Sequence, residues 1–372
     1  MVSDIRKRFH FSRPNRDFRA VLAASCSAAL LIYYPGPYHL MPSLNLLGWA
    51  ELRGQPQTPE MLQQLLCAGP AAVRELGGEF FIEWEGCSAR DHFGIVPAPG
   101  PAGKVVCHGE LVGEVRPGPF GLDVEAAIGE AVLLRSGHGV VALSGGVDSA
   151  LVAALASLPC LVVGTPGCHD ITAATGVARG LGLEIFRREL TEREIEQALP
   201  LVLAAIPRIT PVDASVGTAM YFVAEAAAEI GHERILCGQG ADELFGGYSR
   251  YLSSPDLGRE LERDFLDLPV QLARDQAISA LHHTWFSMPY LDLRVVEAAI
   301  AIPPQEKVRD GIRKRPLRAV AARMLPVQVA EADKKAMQYG SGVWKVLQRL
   351  ARRSGFSSSV SEYLHHVAAA KP

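Results

Sequence analysis

The sequence predicts an α/β fold: a doubly wound parallel-sheet domain with a helical C-terminal part, preceded by a smaller α+β unit. Three observations carry that prediction. The chain has 372 residues, more than the about 250–300 at which a single core stops growing. Arg116-Pro117-Gly118-Pro119-Phe120-Gly121 interrupts it, because clustered Pro and Gly sustain neither helix nor strand. After that break, short apolar runs alternate with helix-period segments, as parallel strands joined by helical crossovers do. The boundaries that follow are 1–115 for the first unit, with 1–40 open as an extension, 122–355 for the second, and 356–372 for a C-terminal tail.

Taken in order, a basic stretch (Arg6, Lys7, Arg8, Arg16, Arg19) precedes an apolar run at 20–34. That run is shorter than the about 20 residues a bilayer span needs, and no small-residue cleavage pattern follows it. It reads as a buried strand or an upstream extension, with Met41 as another candidate beginning. Over 58–75, Met61, Leu65, Leu66, Ala72 and Val73 recur at near-helical spacing, and Gly69-Pro70 divides the segment into two short helices. Aromatic and β-branched residues predict strands at 79–84 and 104–107. In the second unit the expected order is helix 124–134, strand 139–143, a Gly turn, helix 148–158, strand 160–164, helix 171–181 and strand 184–187. Beyond 213 the chain reads as mainly helical, with one strand at 234–237.

Composition narrows the function. A formal charge of −3 with Lys and Arg scattered through the chain provides no basic field for nucleic acid, so the expected partner is a small molecule, with neither nucleic acid nor membrane. The seven cysteines (Cys26, Cys67, Cys87, Cys107, Cys160, Cys168, Cys237) are odd in number and widely spaced, with no CxxC. They read as reduced thiols, which places the protein in the cytoplasm.

Two segments carry chemistry. In the first, Val140-Val141-Ala142-Leu143 runs into Ser144-Gly145-Gly146-Val147-Asp148-Ser149. An apolar strand passing through Ser-Gly-Gly straight into a helix gathers unpaired N–H groups and the positive helix end on one anion-sized space. Asp148 is out of place in such a nest unless a cation joins it to phosphates. Walker loops need GxxxxGK[ST], which is absent here. The hexapeptide resembles the PP-loop of ATP pyrophosphatases, which cleave ATP between the α- and β-phosphates.

The second segment, Leu236-Cys237-Gly238-Gln239-Gly240-Ala241-Asp242-Glu243-Leu244-Phe245-Gly246-Gly247-Tyr248, again leads a strand into a Gly-rich loop, now with paired acids. It resembles the corresponding loop of asparagine synthetases and β-lactam synthetases. Ala89-Arg90-Asp91-His92-Phe93-Gly94-Ile95 resembles part of that family's N-terminal glutaminase domain, Pro289-Tyr290-Leu291-Asp292 its Pro-Phe-Leu-Asp, and Lys314-Arg315-Pro316-Leu317-Arg318 its Lys-x-x-Leu-Arg. Their order is the family's.

The resemblance implies a PP-loop domain preceded by a glutaminase-like one, and an AMP-forming ligase that uses ATP and Mg²⁺. The implied nucleotide set is Leu143, Ser144, Gly145, Gly146, Asp148, Ser149, Val163, Gly164 and Gly238; Asp148 and Asp242 would hold the metal. Lys314 would contact the α-phosphate, and Gln239 and Glu243 would stand at the reacting nitrogen. The implied substrates are a carboxylate and ammonia or an amine, with a separate nitrogen-donor protein and a homodimer left open.

The chain also departs from the family. Glutamine-dependent members begin with Cys, whereas this one begins Met1-Val2-Ser3, and Cys26 lies in an apolar run where a thiol pKa rises. The first unit therefore reads as a degenerate glutaminase. Gln239 stands where a Glu is usual, and a neutral amide is no base; Glu243, a water or a different nucleophile would have to compensate. Trp285-Phe286-Ser287-Met288 lacks the usual acidic and basic pair. His282-His283 read as helix-surface residues, while His169-Asp170 reads as either a cap or an adenine-side pair. Lys334-Lys335 with Gln338-Tyr339-Gly340-Ser341-Gly342 is either a pocket loop or a helix end, and Lys345, Arg349, Arg352 and Arg353 form a solvated face.

Overall fold

The computed structural model describes residues 43–332, 337–357 and 359–370. The readings on 1–40, Cys26, Met41 and Lys334-Lys335 lie outside these residues. The N-terminal unit is a six-stranded antiparallel sheet: Leu44–Leu52 (β1), Gln55–Pro56 (β2), Leu76–Trp84 (β3), Cys87–Arg90 (β4), Lys104–Cys107 (β5) and Glu110–Glu114 (β6). Its order is β2-β1-β3-β4-β5-β6. The helix Pro59–Leu66, capped by Thr58, and the 3₁₀ turn Pro70–Glu75 cover one face. Leu62, Leu66 and Val73 bury there against a core that includes Leu76, Phe80 and Ile82. β6 escapes the sequence pattern because Leu111 and Val112 are exposed, leaving no one-sided alternation to read.

Cys87 and Cys107 stand directly opposite each other on β4 and β5 and are joined in a disulfide, so these two are not reduced thiols. Antiparallel pairing brings together cysteines that twenty residues of sequence keep apart. With that pair joined, cysteine usage no longer argues for a reducing compartment. Cys67, Cys160, Cys168 and Cys237 are free. Among the described residues, no helix is long and apolar enough to cross a membrane.

The second unit contains a five-stranded parallel sheet of Val140–Ala142 (β7), Cys160–Gly164 (β8), Ile185–Glu189 (β9), Arg234–Leu236 (β10) and Trp285–Ser287 (β11). Its strand order is β11-β10-β7-β8-β9. Two apolar layers sandwich it, one around Ala127, Leu151 and Leu155 and the other around Leu199, Val223 and Leu347. The chain moves outward from β7 to β9 on one side and occupies β10 and β11 on the other. Strand order thus reverses between β7 and β10, and at such a switch point the loops leaving the carboxyl ends splay apart into a crevice. Those two loops are 143–146 and 237–240.

Two elements were not foreseen. The helix Glu192–Ala205 opens with a capping box between Thr191 and Glu194, a signal present in the sequence. The segment 356–372, expected as a tail, holds the helix Val360–Ala369, whose Tyr363 and Leu364 are buried in the second core layer. Arg349 and Arg353, expected to be solvated, pair with Glu192 and Glu196 on the helix surface.

Candidate active site

Strand β7 ends at Ala142, and the chain turns through Leu143 to Gly146 into the helix Val147–Ala156. Gly145 has φ +80° and lies against Ala173, a combination that a side chain could not meet without strain. Gly146 is the N-cap and gives no side-chain cap, so the first-turn N–H groups face the crevice as an anion site. The hydroxyls of Ser144 and Ser149 brace the turn: they lie 3.1 Å apart, and Ser149 Oγ accepts from Ser144 N at 3.2 Å.

From β10 the second loop leads through Gly238 to the short helix Ala241–Phe245. The loops touch, since a Cβ on Gly238 would lie 2.9 Å from that of Asp148. Asp148 and Asp242 converge on Lys314, whose Nζ is 2.7 Å from both Asp148 oxygens and 2.5 Å from Asp242 Oδ1. Lys314 is only 3 % exposed and caps the helix Arg315–Ala321 from the left-handed region, φ +55°. Gly247 closes the cluster, because a Cβ there would overlap Asp242 Oδ1 and Lys314 Cε.

A cavity of about 870 Å³ occupies the crevice. Leu143, Ser144, Asp148, Ser149, Val163, Gly238, Gln239, Asp242 and Glu243 line it. Gly145 and Gly146 shape the turn, and Gly164 is wedged against Cys168 and Ser341. Asp170 lines the cavity beside His169, whose Nδ1 is 3.3 Å away, while Cys168 holds the N-cap. Tyr339 and Ser341 border the cavity. His282 stacks edge-on against Tyr221, and no metal-holding cluster of three His, Cys, Asp or Glu occurs among the described residues.

Gln239 and Glu243 belong to one network. Gln239 Nε2 donates to Gln271 Oε1 at 2.8 Å, Gln271 Nε2 donates to Glu243 Oε1 at 2.9 Å, and Tyr248 OH donates to the same oxygen at 2.5 Å. Burial pushes the Glu243 carboxyl up, the Asp242 charge adds to it, and the two donated bonds oppose both. A carboxyl raised in this way is a stronger base than an ordinary one. Gln271 was missed in the sequence, and Tyr290, singled out there only as part of Pro289-Tyr290-Leu291-Asp292, was given no role; its OH donates to the Asp148 carbonyl at 3.0 Å. Neither has a local signal, because an amide on a helix and an aromatic after Pro look like ordinary surface and core.

A family model described as asparagine synthase matches residues 124–266 and 254–370. The chain belongs to the asparagine synthase family. It is 34% identical over 265 residues to a putative glutamine-hydrolyzing asparagine synthetase of Methanocaldococcus jannaschii, covering 59% of this chain and 49% of that one. It is 30% identical over 263 residues to the carboxyethyl-arginine beta-lactam-synthase of Streptomyces clavuligerus, covering 68% and 49%. With asparagine synthetase B of Escherichia coli it shares 28% over 227 residues, covering 54% and 41%. The chain spans about half the length of these relatives. The asparagine synthase match begins with the helix that precedes the first loop and includes both loops and Lys314.

Proposed function

We propose that the chain is an ATP-dependent, AMP-forming amidoligase that adenylylates a carboxylate, aspartate being one candidate, and then joins it to ammonia or an amine. One observation carries this reading: Asp148 and Asp242, from loops on adjacent strands, meet at a single buried positive charge beside an uncapped helix N-terminus. Two carboxylates at one cationic point fit a magnesium ion, which takes one or two carboxylates and fills its shell with phosphate oxygens and water. Bound there, it would offset charge on the pyrophosphate.

The chain's own groups have distinct tasks. First-turn N–H groups and the Ser144 and Ser149 hydroxyls hold the β- and γ-phosphates. A substrate carboxylate oxygen attacks the α-phosphorus, and pyrophosphate departs with the electrons of the broken P–O bond. Lys314, fixed beside both loops, would offset charge growing on the α-phosphate. The nitrogen nucleophile then attacks the acyl carbon and expels AMP, and Glu243 takes the proton that the neutral Gln239 cannot. Confining both partners supplies about 7–11 kcal/mol in ideal cases.

A second reading, ring closure within one substrate, is favoured by Gln239 at the position of the usual base and by the similarity to a β-lactam-forming relative. Incubation with ATP, Mg²⁺, ammonia and a panel of carboxylates decides between them. AMP and an amide formed only with ammonia support intermolecular transfer, whereas AMP and a dehydrated product without ammonia support closure. ATP binding with no AMP from any acid would instead make the chain a nucleotide-binding regulator.

A further inference from the structure

The N-terminal sheet enters this site through one buried carboxylate. Glu79 on β3 is 1% exposed. Its Oε1 accepts from Arg135 Nε at 2.8 Å and from the Met288 backbone N at 2.8 Å. Its Oε2 accepts from Ser287 Oγ at 2.6 Å and from Trp49 Nε1 at 3.3 Å. Burial alone would raise its pKa, but the Arg135 charge and the donated bonds outweigh that and hold the carboxyl below the usual range. Glu79 is therefore an anion with four donors pointing at it, two of them from residues 287 and 288 at the end of β11.

Those two residues lead to both loops. The Ser287 carbonyl accepts from Cys237 N at 3.0 Å, immediately before Gly238. Two residues beyond Met288, Tyr290 OH holds the Asp148 carbonyl, and Leu291 fills the space against Gly240. A shift of residues 287 and 288 is thereby transmitted to Asp148 and to the loop carrying Asp242, the two groups that must share one ion.

We propose that Glu79 is a positioning residue of the nucleotide site, and that the N-terminal sheet serves in this chain to lock residues 287–291 so that Asp148 and Asp242 stay in register. This rests on the MgATP site of the proposed function, and its binding consequence does not require the ligase chemistry. Glu79→Gln keeps the shape but sets an N–H₂ donor against either the Arg135 and Met288 donors or the Ser287 and Trp49 donors. Groups that hydrogen-bond a metal ligand directly govern ion affinity by about 10–100-fold, and Glu79, acting on the ligands through residues 287–291, belongs at the lower end.

The test is MgATP binding by calorimetry on the full chain, titrated in magnesium. Glu79→Gln is expected to raise the magnesium needed for half-saturation about tenfold, with a smaller rise for Ser287→Ala, which removes one of the four bonds. Glu51→Gln serves as control. Glu51 lies in the same buried interface and reaches Glu79 only through Arg294, Asp292 and Arg135, with no bond to Ser287 or Met288; its loss is expected to lower stability and leave the magnesium requirement near that of the wild type. The proposal is overturned if Glu79→Gln binds MgATP as wild type does, or if Glu51→Gln weakens binding equally. Should Glu79→Gln not fold, unaltered binding in Ser287→Ala overturns it. Absence of pyrophosphate exchange in the wild type would end the ligase reading while leaving this comparison decisive.

Discussion

Replacing Lys314 with Met tests whether Asp148 and Asp242 form a cation site. The lysine Nζ lies 2.5–2.7 Å from three carboxylate oxygens, and the three side chains are 3, 7 and 14 % exposed. Methionine keeps the length and removes the charge, leaving two carboxylates facing each other with little water. Removing one partner of a buried pair costs about 3–5 kcal/mol. At roughly 2–4 °C per kcal/mol for a domain of this size, Tm should fall by about 6–20 °C. A divalent ion would then fill the gap left by the ammonium and return about 2.7 kcal/mol at a hundred times its Kd. Thermal unfolding of both proteins, with and without magnesium and without ATP, measures this. Lys314→Met should be rescued by magnesium, while the wild type, already neutralised, should respond little. A variant as stable as wild type, or one indifferent to magnesium, refutes the shared site.

Three further outcomes follow from the geometry. Gly247→Ala should abolish MgATP binding with far-UV circular dichroism unchanged, because the methyl overlaps Asp242 and Lys314; normal binding would mean that the cluster is not needed. Burial raises the Glu243 carboxyl, so its basic form is lost as pH falls through a value above the ordinary carboxylate range. Nitrogen transfer should therefore fail on the acid side, and Glu243→Gln should slow transfer while sparing pyrophosphate exchange; equal loss in both would remove Glu243 from the nitrogen step. Asp91 accepts backbone N–H bonds from Phe80, Phe93 and Ile95, and burial lifts its carboxyl from 3.8 to about 6. The folded value lies above the unfolded one, so the stability it contributes is complete below about pH 4 and is lost as pH rises through 6. Asp91→Asn should flatten that slope in denaturant midpoints, and an unchanged slope would refute the assignment.

Much of the parallel sheet was legible because its strands β7 and β8 are apolar runs bounded by turn residues: 160–164 matches β8 as drawn. Both loops were legible because Gly, Ser and Asp packed between a strand and a helix have few structural uses. Their meeting was not, since adjacency of β7 and β10 depends on a crossover of about ninety residues that no local pattern encodes. The partnership of Lys314 with both carboxylates is likewise a product of topology. β11 is three residues long and ends before Pro289, too short to signal itself. The N-terminal sheet hid its most consequential residue in plain view: a Glu in a strand normally marks the solvent face, and only the packed structure turns Glu79 inward. At 287–288 the chain meets the buried pair Glu79 and Arg135, which comes from other elements and does not line the cavity.

Activation of a carboxylate at the α-phosphate of ATP by the two loops of one crevice leaves a direct signature. Exchange of labelled pyrophosphate into ATP, with and without candidate carboxylates, measures that step alone. Exchange is expected to depend on both carboxylate and magnesium and to disappear in Asp148→Asn. Undiminished exchange in Asp148→Asn, or formation of ADP in place of AMP by the wild type, would contradict this activation.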